Sequence, residues 1–509
     1  MSVRSVFNLQ PARPAWGIRP PAHKTQSMRD PIASAPLPAQ VSIPVEQSLG
    51  IRAEPLVEPS QRVRTGELIA AADSAAGWPG ARIHASVSGH VRCIEERPVA
   101  GDDTATSLCI VIDSDGLDER HPDCRPADPW SLSPAQIIER IRAGGIVGLG
   151  GALFDTAAKL ECKANVAGLI LNGAECEPYI TCDEMLMRER ADAVVEGALI
   201  MARALGDPDT VIAVESDMPE ARVALHDAID ARGTTAVSVA VVTAKYPAGG
   251  ERQLIELIAG REVPEYGLPS DIGMVCQNVA TAAAVAGLFA SGEPLISRIV
   301  TVAGDNIAEP RNVDARIGTS LSELVSVAGG YVGEAHRLIM GGPMMGIALP
   351  DDSMPVTKAT NCIIALHEPA HEPSRVEMPC IRCAECSEVC PARLLPQELL
   401  IASRTSDTEA LEELGVDACI ECGCCDYVCP SYIPLTVRFI EAKRTLREQR
   451  QTRHDAEHAR DRFEAREARL KDAAEALTRE LDEQVESLDE QTSIDEIMAR
   501  VGGGEENDR

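Results

Sequence analysis

The sequence predicts a multidomain protein of mixed α/β and β architecture, with a cysteine-rich helical module towards its C-terminal end. Three observations carry this. Strand-like and helix-like segments alternate over 130–290, as βαβ units with a largely parallel sheet do. Short apolar stretches broken by Gly, Pro and Ser occupy 41–115 and 295–365 on either side of that region. Two runs, CIRCAECSEVCP at 380–391 and CIECGCCDYVCP at 419–430, each set cysteines at C-x-x-C-x-x-C-x-x-x-C ahead of a proline, the second with one extra, Cys424.

The 509 residues suffice for about three domains of ordinary size. Hydrophobic residues make up 45% but aromatics only 3%, so the cores are expected to be built from Ala, Val, Leu and Ile. A net charge of −31 repels phosphate backbones and argues against a nucleic-acid partner. The first 40 residues lack the apolar stretch of an export signal, and no apolar run reaches 18 residues. The chain is therefore expected to be soluble on its own. With 17 cysteines and no export signal, metal ligation is a better use for the thiols than a disulfide framework.

Taken in order, 1–40 is a Pro-rich arm of polyproline stiffness, expected to wrap its own protein or a partner rather than join a core. Region 41–115 resembles the barrel-sandwich hybrid of biotinyl and lipoyl carriers. Its connector, AADSAAGWPGAR at 71–82, has no lysine to modify, so the barrel reads as scaffold. In 130–290, Ser133 and Pro134 start a helix that Gly144 ends. VAGLILN at 166–172 is a strand, and one long helix is expected over about 184–205. VIAVES and VSVAVVTA are strands around a helix beginning near Met218, and Val279–Phe289 reads as a buried helix. Region 295–365 is a small β-rich module and 370–440 holds the cysteines. Region 441–509 is charged and too sparse in apolar residues for a sustained coiled-coil seam, so a solvated helix or a disordered tail is expected.

Each cysteine run reads C-x-x-C-x-x-C-x-x-x-C-P. Zinc sites more often pair two C-x-x-C knuckles or mix Cys with His. Four cysteines in one block, repeated, point to two [4Fe–4S] clusters. In two-cluster ferredoxins the fourth cysteine serves the other cluster. That pattern assigns Cys380, Cys383, Cys386 and Cys429 to one cluster, and Cys419, Cys422, Cys425 and Cys390 to the second. Cys424 reads as a neighbouring thiol that is not a ligand.

GIVGLGGALFDTAAKL at 145–160 is a glycine-rich turn opening a helix, a place where bare N–H groups can meet phosphate. It fails as a dinucleotide fingerprint, because Leu153 stands where a third glycine should and the loop follows a helix. Asn172, Glu175 and Glu177 fall just past a strand C-terminus, where open α/β sheets bind ligands.

These motifs occur in one order: Gly148–Phe154, NGAECEPYIT at Asn172–Thr181, YPAGGE at Tyr246–Glu251, GGPMMG at Gly341–Gly346, then both cysteine runs. The order resembles the C subunit of the Rnf electron-transport complex, itself similar to the NADH- and FMN-binding subunit of respiratory complex I. The likeness spans roughly 20–440. It implies a barrel-sandwich hybrid, a Rossmann-like FMN/NADH domain, a ligand-binding β-grasp and a two-cluster ferredoxin-like helical domain. It further implies non-covalent FMN held by the glycine loop (Gly148, Gly150, Gly151), Lys159, Asn172, Glu175, Tyr246, Glu251 and Asn278. NADH would stack on the flavin beside Phe154 and Glu177. The usual loop of the family reads G-A-G-F-P-T. Here Leu153 replaces its second glycine and Asp155 its proline, which bears on nucleotide binding.

The function so implied is that of an electron-input subunit, passing electrons between NADH, FMN and two [4Fe–4S] clusters. Its implied partners are ferredoxin and other subunits, including a ferredoxin-like cluster subunit. Its expected place is the cytoplasmic face of the cell membrane, held there by integral partners. No side chain is expected to serve as general acid or base, since the chemistry belongs to the cofactors. The alternatives are a cobalamin-reductase-like flavoprotein and a non-enzymatic relay with a weakened nucleotide site.

Overall fold

The computed structural model describes residues 6–48, 51–72, 80–101, 105–162, 165–334, 337–367, 376–491, 496 and 498–499. Most of the connector at 71–82 lies outside them.

The first β module pairs a four-stranded antiparallel sheet with a three-stranded one. Strands Gln40–Pro44, Thr106–Ser114, Gly89–Pro98 and Arg62–Val63 form the larger sheet. Val41, Ile43, Val63, Val91, Ile110 and Ile112 alternate inward and form its core with Ile69 and Ile83 of the smaller sheet.

The α/β domain carries four parallel strands in the order Val237–Val242, Asp209–Glu215, Gly168–Gly173, Met274–Asn278. The chain builds outward from Gly168–Gly173 to one side, then returns to its other side. The order therefore reverses between Gly168–Gly173 and Met274–Asn278. Asn172 and Asn278 face each other in register at that point, where doubly wound sheets hold ligands.

Helix Pro134–Ala143 starts at a full capping box: Ser133 accepts from the Gln136 N–H, and the Gln136 side chain accepts from the Ser133 N–H. Ser133→Ala is expected to cost about 1 kcal/mol, read as a lowered midpoint in thermal unfolding. Where one helix was expected over 184–205, there are two, Cys182–Glu189 and Ala191–Ala204. Arg190 leaves helical geometry (φ −130°, ψ 35°), and its guanidinium donates to Asp314 of the next domain at 2.9 Å. A long-range contact thus sets the break, and the helical pattern carries no sign of it. Helix Val279–Ser291 lies buried against Ala191–Ala204, with Gly197 over the Ala282 carbonyl where no side chain would fit.

The β-grasp region forms a six-stranded sheet, in the order Ala33–Ser34, Arg311–Arg316, Ser297–Ala303, Cys362–Leu366, Arg337–Met340, Ile347–Leu349. Its first strand comes from the N-terminal arm. The arm does more than wrap, because Phe7 packs into the core beside Ile170, Val211 and Met274.

The cysteine module is helical. Leu399, Leu400, Leu411, Val416, Ile433, Phe439 and Leu446 form its core. Helix Leu435–Gln491 starts there and runs on for 57 residues. Among the described residues no helix is long and apolar enough to cross a membrane.

Candidate functional site: a nucleotide cleft beside two thiol cavities

A cleft of about 470 Å³ opens at the switch point of the parallel sheet. Of the cofactor residues expected from sequence, Gly148, Gly150, Phe154, Lys159, Asn172, Glu175, Glu177, Tyr246, Glu251 and Asn278 line it; Gly151 does not.

The glycine loop is a short hairpin: Val147 bridges Asp155, and the Gly148 N–H donates to the Phe154 carbonyl at 2.8 Å. Gly151 has φ +107° and Leu153 φ +50°. The second value is left-handed and favours the glycine usual at that position. Neither Leu153 nor Asp155 lines the cleft. Leu153 packs against the hydrophobic core. Asp155 is buried and caps helix Thr156–Leu160 by accepting the Ala158 N–H at 2.8 Å. Its charge is spent on the helix terminus and does not face the cleft.

Lys159, on that helix, pairs with Glu251 at 2.5 Å, donates to the Cys276 carbonyl at 3.0 Å and lies 5.9 Å from the Phe154 ring centre. Asn172 donates to the Gly249 carbonyl at 2.8 Å. Asn278 caps helix Val279–Ser291 through Oδ1 and donates from Nδ2 to Asp183 at 2.6 Å.

The carboxyls are tied to backbone donors. Glu175 accepts the Asp183 and Glu184 N–H groups at the start of helix Cys182–Glu189, at 2.9 and 3.2 Å. Burial, then the charge of Asp183, pushes its pKa up to about 8. Glu177 accepts the N–H groups of Met344 and Met345 at 3.2 and 3.0 Å, which binds the GGPMMG loop of the β-grasp to the cleft. Burial raises Glu177 to about 7. Buried acids that keep their protons lessen the repulsion an anionic ligand would meet here. Lys24, threaded in from the arm, donates to the Glu175 carbonyl and lies 3.9 Å from Glu215.

The raised Glu177 pKa has a signed consequence. Unfolded, the group ionises at its ordinary 4.5; folded, it holds its proton to about 7. Its contribution to stability is therefore present below 4.5 and is lost as pH rises towards 7. The stability of Glu177→Gln relative to the parent is expected to increase over that window, measured by denaturant unfolding at a series of pH values.

Sequence reasoning missed several residues of the wall. Gln277 is 3% exposed, its Nε2 has no partner among the described residues, and it lines the cleft as a donor available to a ligand. Its place beside Asn278 at a strand end was the available signal. Asp183, Met345, Asn361 and Ile420 also line the cleft, brought there from separate segments.

The cysteines lie on the far side of Tyr246, whose hydroxyl donates to the Cys422 carbonyl at 2.7 Å. Cys380, Cys383, Cys386 and Cys429 line one small cavity. Cys390, Cys419, Cys422 and Cys425 line a second, together with Cys424. The first cavity mixes three thiols of the upstream run with the last of the downstream run, and the second mixes four thiols of the downstream run, Cys424 among them, with the last of the upstream run. A donor set of thiols alone fits an iron–sulfur cluster. Cys380 and Cys383 are exposed, and Cys422 is buried towards the cleft.

The cleft, the GGPMMG loop tied to it and the thiol-lined cavities beyond Tyr246 make up the candidate site of an α/β protein with a ligand cleft at its switch point. Family comparison puts an FMN-binding domain around the cleft. The Nuo51 FMN-binding domain matches residues 141–287, the RnfC barrel sandwich hybrid domain matches 14–117, and the SLBB domain matches 299–348. The C subunit of the ion-translocating oxidoreductase complex of Rhodobacter capsulatus is 40% identical over 456 residues, 89% of this chain and 87% of that protein. The chain belongs to this family, the C subunits of Rnf ion-translocating oxidoreductase complexes. The protein of the same name from Pseudomonas aeruginosa is 44% identical over 463 residues, 89% of this chain, and the chain spans 58% of its length. Among solved structures, an NAD⁺-reducing [NiFe]-hydrogenase in the air-oxidised state matches at a TM-score of 0.43 and 21% identity, over 61% of each chain.

Proposed function

We propose that the chain is the electron-input subunit of an Rnf-type complex, taking electrons from NADH through FMN to two [4Fe–4S] clusters and on to partner subunits and ferredoxin. The observation that carries this is adjacency. Ile420, inside the second cysteine run, lines the nucleotide cleft, and Tyr246 links the cleft wall to the Cys422 backbone. When bound, FMN would supply the exchange between the two electrons of one hydride and single-electron transfer, and the clusters would carry the electrons one at a time.

The residues of the chain hold, orient and shield. Lys159, Asn172, Gln277 and Asn278 supply donors to the nucleotide; Phe154 offers a ring face; Glu177 fixes the β-grasp loop over the cleft. The set Cys390, Cys419, Cys422 and Cys425 borders the cleft, and the set with exposed Cys380 and Cys383 lies towards solvent, where a partner can take electrons. Leu153 and Asp155 turn inward, which favours a working nucleotide site over a decayed relay.

Rapid mixing of reconstituted protein with NADH tests the arrangement. Cys429→Ser should leave the remaining cluster reducible by NADH, whereas Cys390→Ser should leave the flavin reducible and the remaining cluster slow. The reverse pattern would place the other thiol set at the cleft and overturn the order. We further infer attachment to the cytoplasmic face of the membrane through integral partners. Recovery of the chain in the soluble fraction when all membrane subunits are co-expressed would contradict it.

A further inference from the structure

The glycine loop is held from behind by the β-grasp. Leu149 is buried, and side chains from two other elements fix both its polar groups. Its N–H donates to the hydroxyl of Thr281 at 2.9 Å, and its carbonyl accepts from the guanidinium of Arg298 at 3.4 Å. Arg298 stands on strand Ser297–Ala303 and is only 6% exposed. The same guanidinium donates to the carbonyl of Lys358, so a second β-grasp segment steadies it. Lys358 is fully buried and donates in turn to the carbonyls of Gly145 at 2.8 Å and Arg82 at 2.9 Å, just before the loop. A guanidinium is taken out of water at a cost that its hydrogen bonds must offset. Filling space behind the loop would not require a cation.

The Leu149–Gly150 peptide forms a partition. On one side lies the nucleotide cleft, lined by Gly150. On the other lies a cavity of about 460 Å³, lined by Leu149 and Arg298. The peptide is trans. In a trans peptide the carbonyl of one residue and the N–H of the next point in opposite directions. With the Leu149 carbonyl turned back to Arg298, the Gly150 N–H is turned to the cleft side. Gly150 is exposed, and its N–H has no acceptor among the described residues.

We propose that Arg298 is a positioning residue for the phosphate of the flavin nucleotide, acting through the Leu149–Gly150 peptide. It holds the carbonyl back, so the N–H of Gly150 is presented to the anion. This rests on the reading of the cleft as an FMN site. Without the guanidinium, the peptide is free to turn over. A carbonyl oxygen would then face the phosphate and repel it, where an N–H had attracted it. The β-grasp thus supports the nucleotide from behind the loop, through Arg298, as well as through the GGPMMG loop that Glu177 ties to the cleft.

Fluorescence titration of the apoprotein with FMN and with riboflavin, which lacks the phosphate, tests the proposal. Arg298→Met keeps a long side chain and removes the donors. Its dissociation constant for FMN should rise about ten-fold, the scale of one charge-assisted hydrogen bond, and that for riboflavin should change less than about two-fold. Arg298→Lys returns a cation to the site and should recover part of the preference for FMN. A purely structural role would weaken both flavins together. Should Arg298→Met fail to fold, Thr281→Val frees the other end of Leu149 at nearly constant volume, and the same selective loss is expected of it. Equal weakening of FMN and riboflavin, or an unchanged preference for FMN, would overturn the proposal. A parent protein indifferent to the phosphate would overturn the FMN reading of the cleft itself, and the proposal with it.

Discussion

Cys390→Ser is expected to cost the protein the cluster of the downstream run, 419–425, although Cys390 belongs to the upstream run. Iron content should fall from about eight per chain to about four, as one of two [4Fe–4S] clusters is lost. The spectrum of the cluster on Cys380, Cys383, Cys386 and Cys429 should persist. The reason lies in the two cavities: Cys390 lines the one bounded by Cys419, Cys422 and Cys425, and Cys429 lines the other. The complementary Cys429→Ser should lose the upstream cluster instead. Iron analysis with low-temperature electron paramagnetic resonance of each reduced variant separates the cases. If each serine variant lost the cluster of its own run, the exchanged ligation would be wrong.

The second large effect is expected at Lys159. Lys159→Met should weaken FMN binding by roughly 10- to 100-fold, the range set by losing a charged hydrogen bond of about 1.5–3 kcal/mol. Two changes act together. The cleft loses the ammonium group that lies beside the Phe154 ring. Glu251, now without its partner at 2.5 Å, adds an unopposed negative charge to the wall, where an anionic phosphate would be repelled. Flavin fluorescence titration of the apoprotein reads the dissociation constant directly. A variant that binds FMN as tightly as the parent would remove Lys159 from the phosphate site.

What could be read from the sequence follows the range of the forces involved. The grouping of the cysteines was legible because three at C-x-x-C-x-x-C spacing stay within one local turn, and each such trio lines a shared cavity. The start of the helix at Ser133 was legible because a cap is a matter of four residues. The sequence puts Asn172 near a strand end, where it is the last residue but one of strand Gly168–Gly173, but its register opposite Asn278 depends on a strand 106 residues away. The same holds for Met345 and Ile420, which reach the cleft from the β-grasp and from the second cysteine run. Asp155 illustrates the converse. In sequence it is a negative charge inside a phosphate-binding motif, while in the fold it is an N-cap turned away from the cleft. The break at Arg190 was illegible because Asp314 holds it from another domain.

In the proposed function electrons enter at the cleft and leave through the thiol sets. Anaerobic absorbance of the cluster-reconstituted chain with FMN, recorded before and after NADH, tests that claim directly. The prediction is that NADH bleaches both the flavin and the cluster bands. Bleaching by dithionite but not by NADH would contradict it, leaving a protein with real clusters and no working nucleotide entry.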